Sequence, residues 1–254
     1  MIRHPFIATA MTSLLLISSA WAAAPDAATL EKQWAELLAG AKIENIQASP
    51  IDGLWEVDAG AHIFYANEKG DKLIFGDVLA LNDKEGYTNL TEESRKKIRL
   101  EILKGLDKKD MIIYAAEKPK HNVYVFTDAD CGYCRKFHEE RATLNKAGIT
   151  INYLAMPRTP QGTPSYNKAV AIWCATDRNK ALDEAKDNKF KDAEKTCPEG
   201  EKIIAADVNL AKQFGAQGTP TIVLENGEVI PGYVPAEKLI EYYAQEKPTT
   251  AAAD

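Results

Sequence analysis

Two cysteines, in Cys131-Gly132-Tyr133-Cys134, restrict this chain more than any other feature of its sequence. They follow a strand-like apolar run, Asn122 to Thr127, and open a helix. A thiol at a helix start faces unpaired amide N–H groups and the positive end of the helix dipole, both of which favour the thiolate. Cys131 is therefore expected to be a solvent-reachable attacking thiol. Cys134, one turn further in and less exposed, is close enough to form a disulfide with it and to resolve a mixed disulfide. At neutral pH a thiol of pKa about 8.5 is only about 3% ionised, whereas one shifted to about 6 would be about 90% ionised. Nucleophilicity falls as pKa falls, so most of that gain is returned on attack. The lasting benefits are a better leaving group and a more stable reduced pair.

Two other readings of the pair stay open. A structural disulfide across two residues would close a small strained ring and constrain little chain. Cys134 and His138, spaced i, i+4, could form half a zinc site, although no second CxxC or HxxxH follows. Arg135 and Lys136 favour an anion at this place, and Asp128 and Asp130 oppose it. No metal is expected, nor any cofactor beyond the redox-active pair itself.

Cellular compartment decides whether such thiols oxidise. Met1 to Ala24 has a short positive start, an apolar stretch from Phe6 to Ala20 and then small residues, the pattern of a secretory signal peptide over 1–22. The alternative, a membrane anchor, meets an apolar run shorter than the roughly 20 residues that span a bilayer. A net charge of −6 provides no positive field for nucleic acid.

The rest of the chain divides in two. Asp26 to Leu38 has helical periodicity through Leu30, Trp34, Leu37 and Leu38, with Gly40 as a stop. Short strand-like runs follow at Ile43–Ile51, Leu54–Ala59, His62–Ala66 and Lys72–Leu81, separated by turn formers. Together these predict a small α+β domain over 23–85. A connector helix capped by Thr91 is placed in 86–107, with an ordinary surface helix as its alternative. Beyond it the pattern is α/β over 108–246: strands at Met111–Ala116, Asn122–Thr127 and Ile149–Ala155, a polar helical segment from Thr163 to Pro198, and a helix at Ile203–Phe214. A hairpin around Asn226-Gly227 and a last helix from Pro235 complete it. Residues 247–254 read as a disordered tail.

Cys174 and Cys197 lie 23 residues apart within that helical segment, and with Cys131 and Cys134 assigned they are left for each other. In the chain-entropy model a loop of this size stabilises by about 3 kcal/mol, so the pair is read as a permanent staple. A second redox pair is the alternative. Trp173 beside them is read as core packing.

VFTDADCGYCRKFHEE, followed by GITINYLAMPR, AIWCATDRNKA and QGTPTIVLENGEVIPGY, resembles the DsbC/DsbG family of periplasmic disulfide isomerases in the thioredoxin superfamily. The resemblance implies a thioredoxin-like domain with a helical insertion, preceded by a cystatin-like dimerisation domain and a helical linker. It further implies a homodimer acting on misfolded disulfide-containing exported proteins, with chaperone activity, and a DsbD-type membrane reductase that keeps the pair reduced. By position, Cys131 would be the nucleophile, Cys134 the resolving thiol and Gly132-Tyr133 the dipeptide that tunes redox balance. Thr219-Pro220 would be the client-binding loop, with Pro220 cis, although the local sequence by itself favours trans. Val125 stands where thioredoxin-type reductases carry a buried acid. The absence of a histidine between the cysteines weakens an oxidase reading, and Gly132 favours the isomerase over its DsbG-like sister. A DsbG-like reductase of oxidised single cysteines and a holdase chaperone are the rival functions.

Overall fold

The computed structural model describes residues 27–34, 42–60, 62–82 and 86–245. The expected signal segment and tail, and Leu37, Leu38 and Gly40 of the first predicted helix, lie outside the described residues.

Helix α1, Ala27–Trp34, puts Leu30 and Trp34 one turn apart on the same face. That face covers a four-stranded antiparallel sheet in the order β1 (Asn45–Ala48), β2 (Leu54–Ala59), β3 (His62–Asn67) and β4 (Leu73–Ile74). Trp34 Nε1 donates to the Gly70 carbonyl at 3.0 Å. Gly70 has φ of 67°, and a Cβ there would come within 2.6 Å of Leu30, so the β3–β4 turn and the helix both require glycine.

The run Lys72–Leu81, read as one strand in the sequence, is broken in the structure. The chain leaves the ladder after Ile74, and the Val78 N–H is taken by Thr91 Oγ1 at 2.8 Å. It then forms β5 (Leu79–Asn82), paired with β6 (Gly86–Asn89), a strand the sequence reading placed in the connector. Helix α2, Leu90–Lys104, is capped by Asn89, whose side chain accepts from the Glu92 N–H at 2.9 Å. Thr91 is therefore not the cap. It is buried inside the first turn, where its hydroxyl also bonds Tyr65. At its other end α2 packs Leu103 against Phe126 and Phe214, while buried Arg99 donates to the Gly227 carbonyl at 3.2 Å. The narrow apolar stripe thus suffices because the two ends of α2 grip different units.

After a 3-10 turn at Lys108–Asp110 come β7 (Ile112–Tyr114), β8 (His121–Thr127), α3 (Gly132–Glu139), α4 (Arg141–Lys146) and β9 (Ile149–Ala155). Helices α5 (Pro164–Cys174), α6 (Arg178–Lys186) and α7 (Pro198–Gln213) follow, then β10 (Thr221–Leu224), β11 (Val229–Pro231) and α8 (Ala236–Gln245). The five strands lie in the order β11-β10-β8-β9-β7, with β8 and β9 parallel and the other pairs antiparallel. Alternation along β8 sends Val123 and Val125 into one core and Phe126 into another, so both faces of the sheet are covered. The segment from Thr163 to Pro198 is less polar than its sequence implies. Helix α5 alone buries Tyr166 and Ala169 to Trp173.

Candidate active site

The central strand β8 delivers Cys131 to the N-cap of α3 with extended backbone, φ −81° and ψ 123°. Its carbonyl accepts the first helical bond from the Arg135 N–H at 3.0 Å, and its side chain makes no capping bond of the usual kind. Opposite lies the loop before β10, where the Thr219–Pro220 peptide is cis. The Cys131 thiol donates to the Thr219 carbonyl at 3.2 Å. That loop roofs the sulfur, leaving Cys131 only 4% exposed against 1% for Cys134. The expectation of a solvent-reachable Cys131 is corrected accordingly. The residue is buried, and any group that reacts with its sulfur must displace or replace the Thr219 contact.

Burial by itself would raise the pKa of Cys131, but the groups around the sulfur more than offset it and the net direction is down. These are the Thr219 side chain, the backbone N–H and thiol of Cys134, and the charge of Arg158. Thr219 Oγ1 is buried without another partner, so its hydroxyl is free to serve a thiolate, which can only accept. Burial pushes Cys134 up instead, so the two sulfurs are driven apart, the outer one toward the thiolate and the inner one toward the thiol.

The two acids that opposed an anion in the sequence are neutralised in the fold. Asp128 is buried and accepts from the backbone N–H and the Nε of Arg158 at 3.0 and 2.9 Å. Asp130 pairs with Lys168 at 2.6 Å. His138 uses Nδ1 with the Tyr153 hydroxyl at 3.1 Å and Nε2 with Asp183 at 2.8 Å, leaving neither nitrogen for a metal shared with Cys134. Burial lowers its pKa to about 4 despite Asp183, so its ring is neutral at physiological pH. Sequence reasoning gave no role to Arg158, although it ends one of the motifs quoted for the family resemblance. Lys186 carried no sequence signal at all. It is buried, and its ammonium donates to Thr127 Oγ1 at 2.7 Å and to the Asp128 carbonyl at 2.9 Å.

Gly132 and Tyr133 face outward. A Cβ on Gly132 would meet nothing within 4 Å, so packing does not impose glycine there. Tyr133 is 64% exposed and stacks on Tyr233 at 6.1 Å between centroids, with Lys136 over the Tyr233 ring at 4.6 Å. Cys131, Gly132, Tyr133, Cys134, Thr219 and Pro220 thus meet at one end of the sheet. Cys174 and Cys197 are bonded to each other, joining the end of α5 to the cap of α7. Gly200 sits directly against this bridge, where a Cβ would collide with the Cys174 sulfur.

Comparison with known proteins matches residues 21–92 to the disulfide bond isomerase protein N-terminal domain and residues 108–247 to the thioredoxin-like domain. The thiol:disulfide interchange protein DsbC of Escherichia coli strain K12 is 36% identical over 239 residues, covering 94% of this chain and 96% of that protein. Its counterpart in Salmonella typhimurium is 38% identical over 228 residues, covering 87% and 88%. Among solved structures, a disulfide interchange protein from Neisseria gonorrhoeae is 30% identical with a TM-score of 0.48, covering 56% of this chain and all of that one.

Proposed function

The chain belongs to the DsbC family of thiol:disulfide interchange proteins, and from that premise we propose that Cys131 attacks non-native disulfides in exported proteins within the periplasm. Attack forms a Cys131–client mixed disulfide and expels one client thiolate. A second client thiol then displaces Cys131 to leave a different pairing. If that stalls, Cys134 closes the Cys131–Cys134 bridge and releases the client reduced. The observation that carries this reading is the arrangement around Cys131: a thiolate-favouring sulfur at the start of α3, against the Thr219 backbone, with a protonated thiol behind it. The Thr219-Pro220 segment offers its backbone to an extended client strand.

Homodimerisation through the N-terminal domain belongs to the same proposal. That domain exposes Ile51, Ile74, Phe75, Leu79, Leu81 and Tyr87, a concentration of large apolar side chains that suits a partner copy and unfolded clients. A membrane reductase of the DsbD type would return the pair to its reduced state. Recovery of active ribonuclease from its scrambled form tests the nucleophile. Cys131→Ala should abolish it, and undiminished recovery would reject the assignment. Cys134→Ala should leave attack intact while mixed disulfides accumulate on Cys131. Clients released at the wild-type rate would remove Cys134 from the resolving role.

A further inference from the structure

When Cys134 resolves a mixed disulfide it must give up a proton inside the protein, and the groups able to support its thiolate are few. Val125, on the strand beneath, is fully buried and apolar. The Asp128 carboxylate is committed to Arg158 and to the Asp130 N–H. His138 is neutral and bonded at both nitrogens. Lys186, reaching in from the end of α6, is the remaining candidate.

We propose that Lys186 is a positioning residue for the resolving step: its buried ammonium, anchored on Thr127 Oγ1 and the Asp128 carbonyl, stabilises the thiolate that Cys134 becomes as it displaces a client from Cys131. Two of the three ammonium N–H bonds are spent on those anchors, which fix the cation at the end of β8 where α3 begins. Thr127 links the two groups. Its hydroxyl oxygen accepts from Lys186, leaving its own hydrogen to turn toward the Cys134 sulfur, an interaction that favours the thiolate. Burial holds the Cys134 thiol above its usual range, and Lys186 is the largest influence pulling the other way. The reciprocal holds: burial lowers Lys186 to about 8, with Cys134, Asp128 and Cys131 opposing that fall and Arg135 adding to it. The titratable and charged groups around the ammonium are thus Cys134, Arg135 and His138 of α3, Cys131 at its cap, and Asp128.

The step balances without any further reagent. The Cys134 sulfur forms a bond to the Cys131 sulfur, the Cys131–client bond breaks, and the client thiolate takes up the proton that Cys134 sheds. The client is reduced and the enzyme pair oxidised. The ammonium keeps its proton throughout and acts by its field alone.

This inference rests on Cys134 being the resolving thiol, and its test separates the two. In Cys131→Ser protein, Cys134 is the only free thiol, since Cys174 and Cys197 are bonded. Its thiolate absorbance is titrated against pH with Lys186 intact and in Lys186→Met, Lys186→Gln and Lys186→Arg. An opposite charge a few ångströms away shifts a pKa by about one to three units, so Met and Gln should each raise the midpoint by at least about one unit, a tenfold loss of thiolate. Arg should restore it. In the otherwise wild-type enzyme, Lys186→Gln should slow closure of the Cys131–Cys134 bridge by about threefold for each unit the midpoint rises, because the more basic thiolate is also the stronger nucleophile. First attack by Cys131, which feels the Lys186 charge less than Cys134 does, should slow by less. Midpoints unchanged in both Met and Gln would overturn the proposal. So would a Gln midpoint equal to that of Lys beside a raised Met midpoint, because a hydrogen bond rather than the charge would then be responsible. Should Lys186→Met fail a thermal-melt check, Gln, which keeps a donor for Thr127, decides the matter alone. Failure of the resolving role would appear instead in Cys134→Ala as unslowed client release, with the titration unaffected.

Discussion

Asp207 offers the sharpest test of the electrostatics of this fold. It lies on α7, is 4% exposed, and its Oδ2 accepts from the Ala155 N–H at 2.7 Å at the end of β9. Burial drives its pKa from 3.8 to about 8, the Ala155 N–H opposing and the charge of Asp110 assisting. Between those values the folded protein keeps a proton that the unfolded chain has lost. Stability should therefore be fully present below about 3.8 and fall as pH rises toward 8. Each unit costs about 1.36 kcal/mol, so moving from about pH 5 to about pH 8 removes roughly 3 to 4 kcal/mol through this group. Asp207→Asn matches the protonated acid in shape and keeps an oxygen for Ala155, but it cannot ionise. Urea unfolding of both proteins at the two pH values isolates Asp207, because every other titrating group cancels in the difference. The variant should exceed wild type by about 1 to 2 kcal/mol already at about pH 5, and that advantage should widen by about 3 to 4 kcal/mol at about pH 8. Parallel stability curves for the two proteins would mean that Asp207 ionises normally in the fold.

Two further outcomes are expected. Replacing both Cys174 and Cys197 by serine opens a loop with a sequence separation of 23 and should cost about 3 kcal/mol in denaturant unfolding. An unchanged midpoint would contradict a structural role for the bridge. Alkylation of Cys131 should titrate below the range of an ordinary cysteine thiol, and Thr219→Val should move that midpoint up by removing the hydroxyl that serves the thiolate. A midpoint at or above that of a free thiol would contradict the thiolate reading of the site.

Much of the architecture could be read directly from local pattern. Strands β2 and β9 have the bounds that their apolar runs predict, because alternation and continuous apolar stretches are set by neighbours along the chain. The strand-to-helix step at Cys131 is likewise local, as is the hairpin at Asn226-Gly227. The cap of α2 departs from the Thr91 that local sequence predicts. Asn89 caps the helix instead, because Tyr65 and Val78, distant along the chain, occupy the Thr91 hydroxyl. The same contact ends the strand that Lys72–Leu81 seemed to promise.

The chemistry of the site divides along the same line. The chain alone determined that two thiols sit one helical turn apart at a helix start, since spacing and the preceding strand are properties of consecutive residues. Only the tertiary structure decided how they differ. The roof over Cys131 comes from the loop before β10, the partner of Asp128 from the loop after β9, and the cation that acts most on Cys134 from the inserted helix α6. Electrostatic energy depends on distance through space and on exclusion of water, and neither quantity is carried by order along a chain.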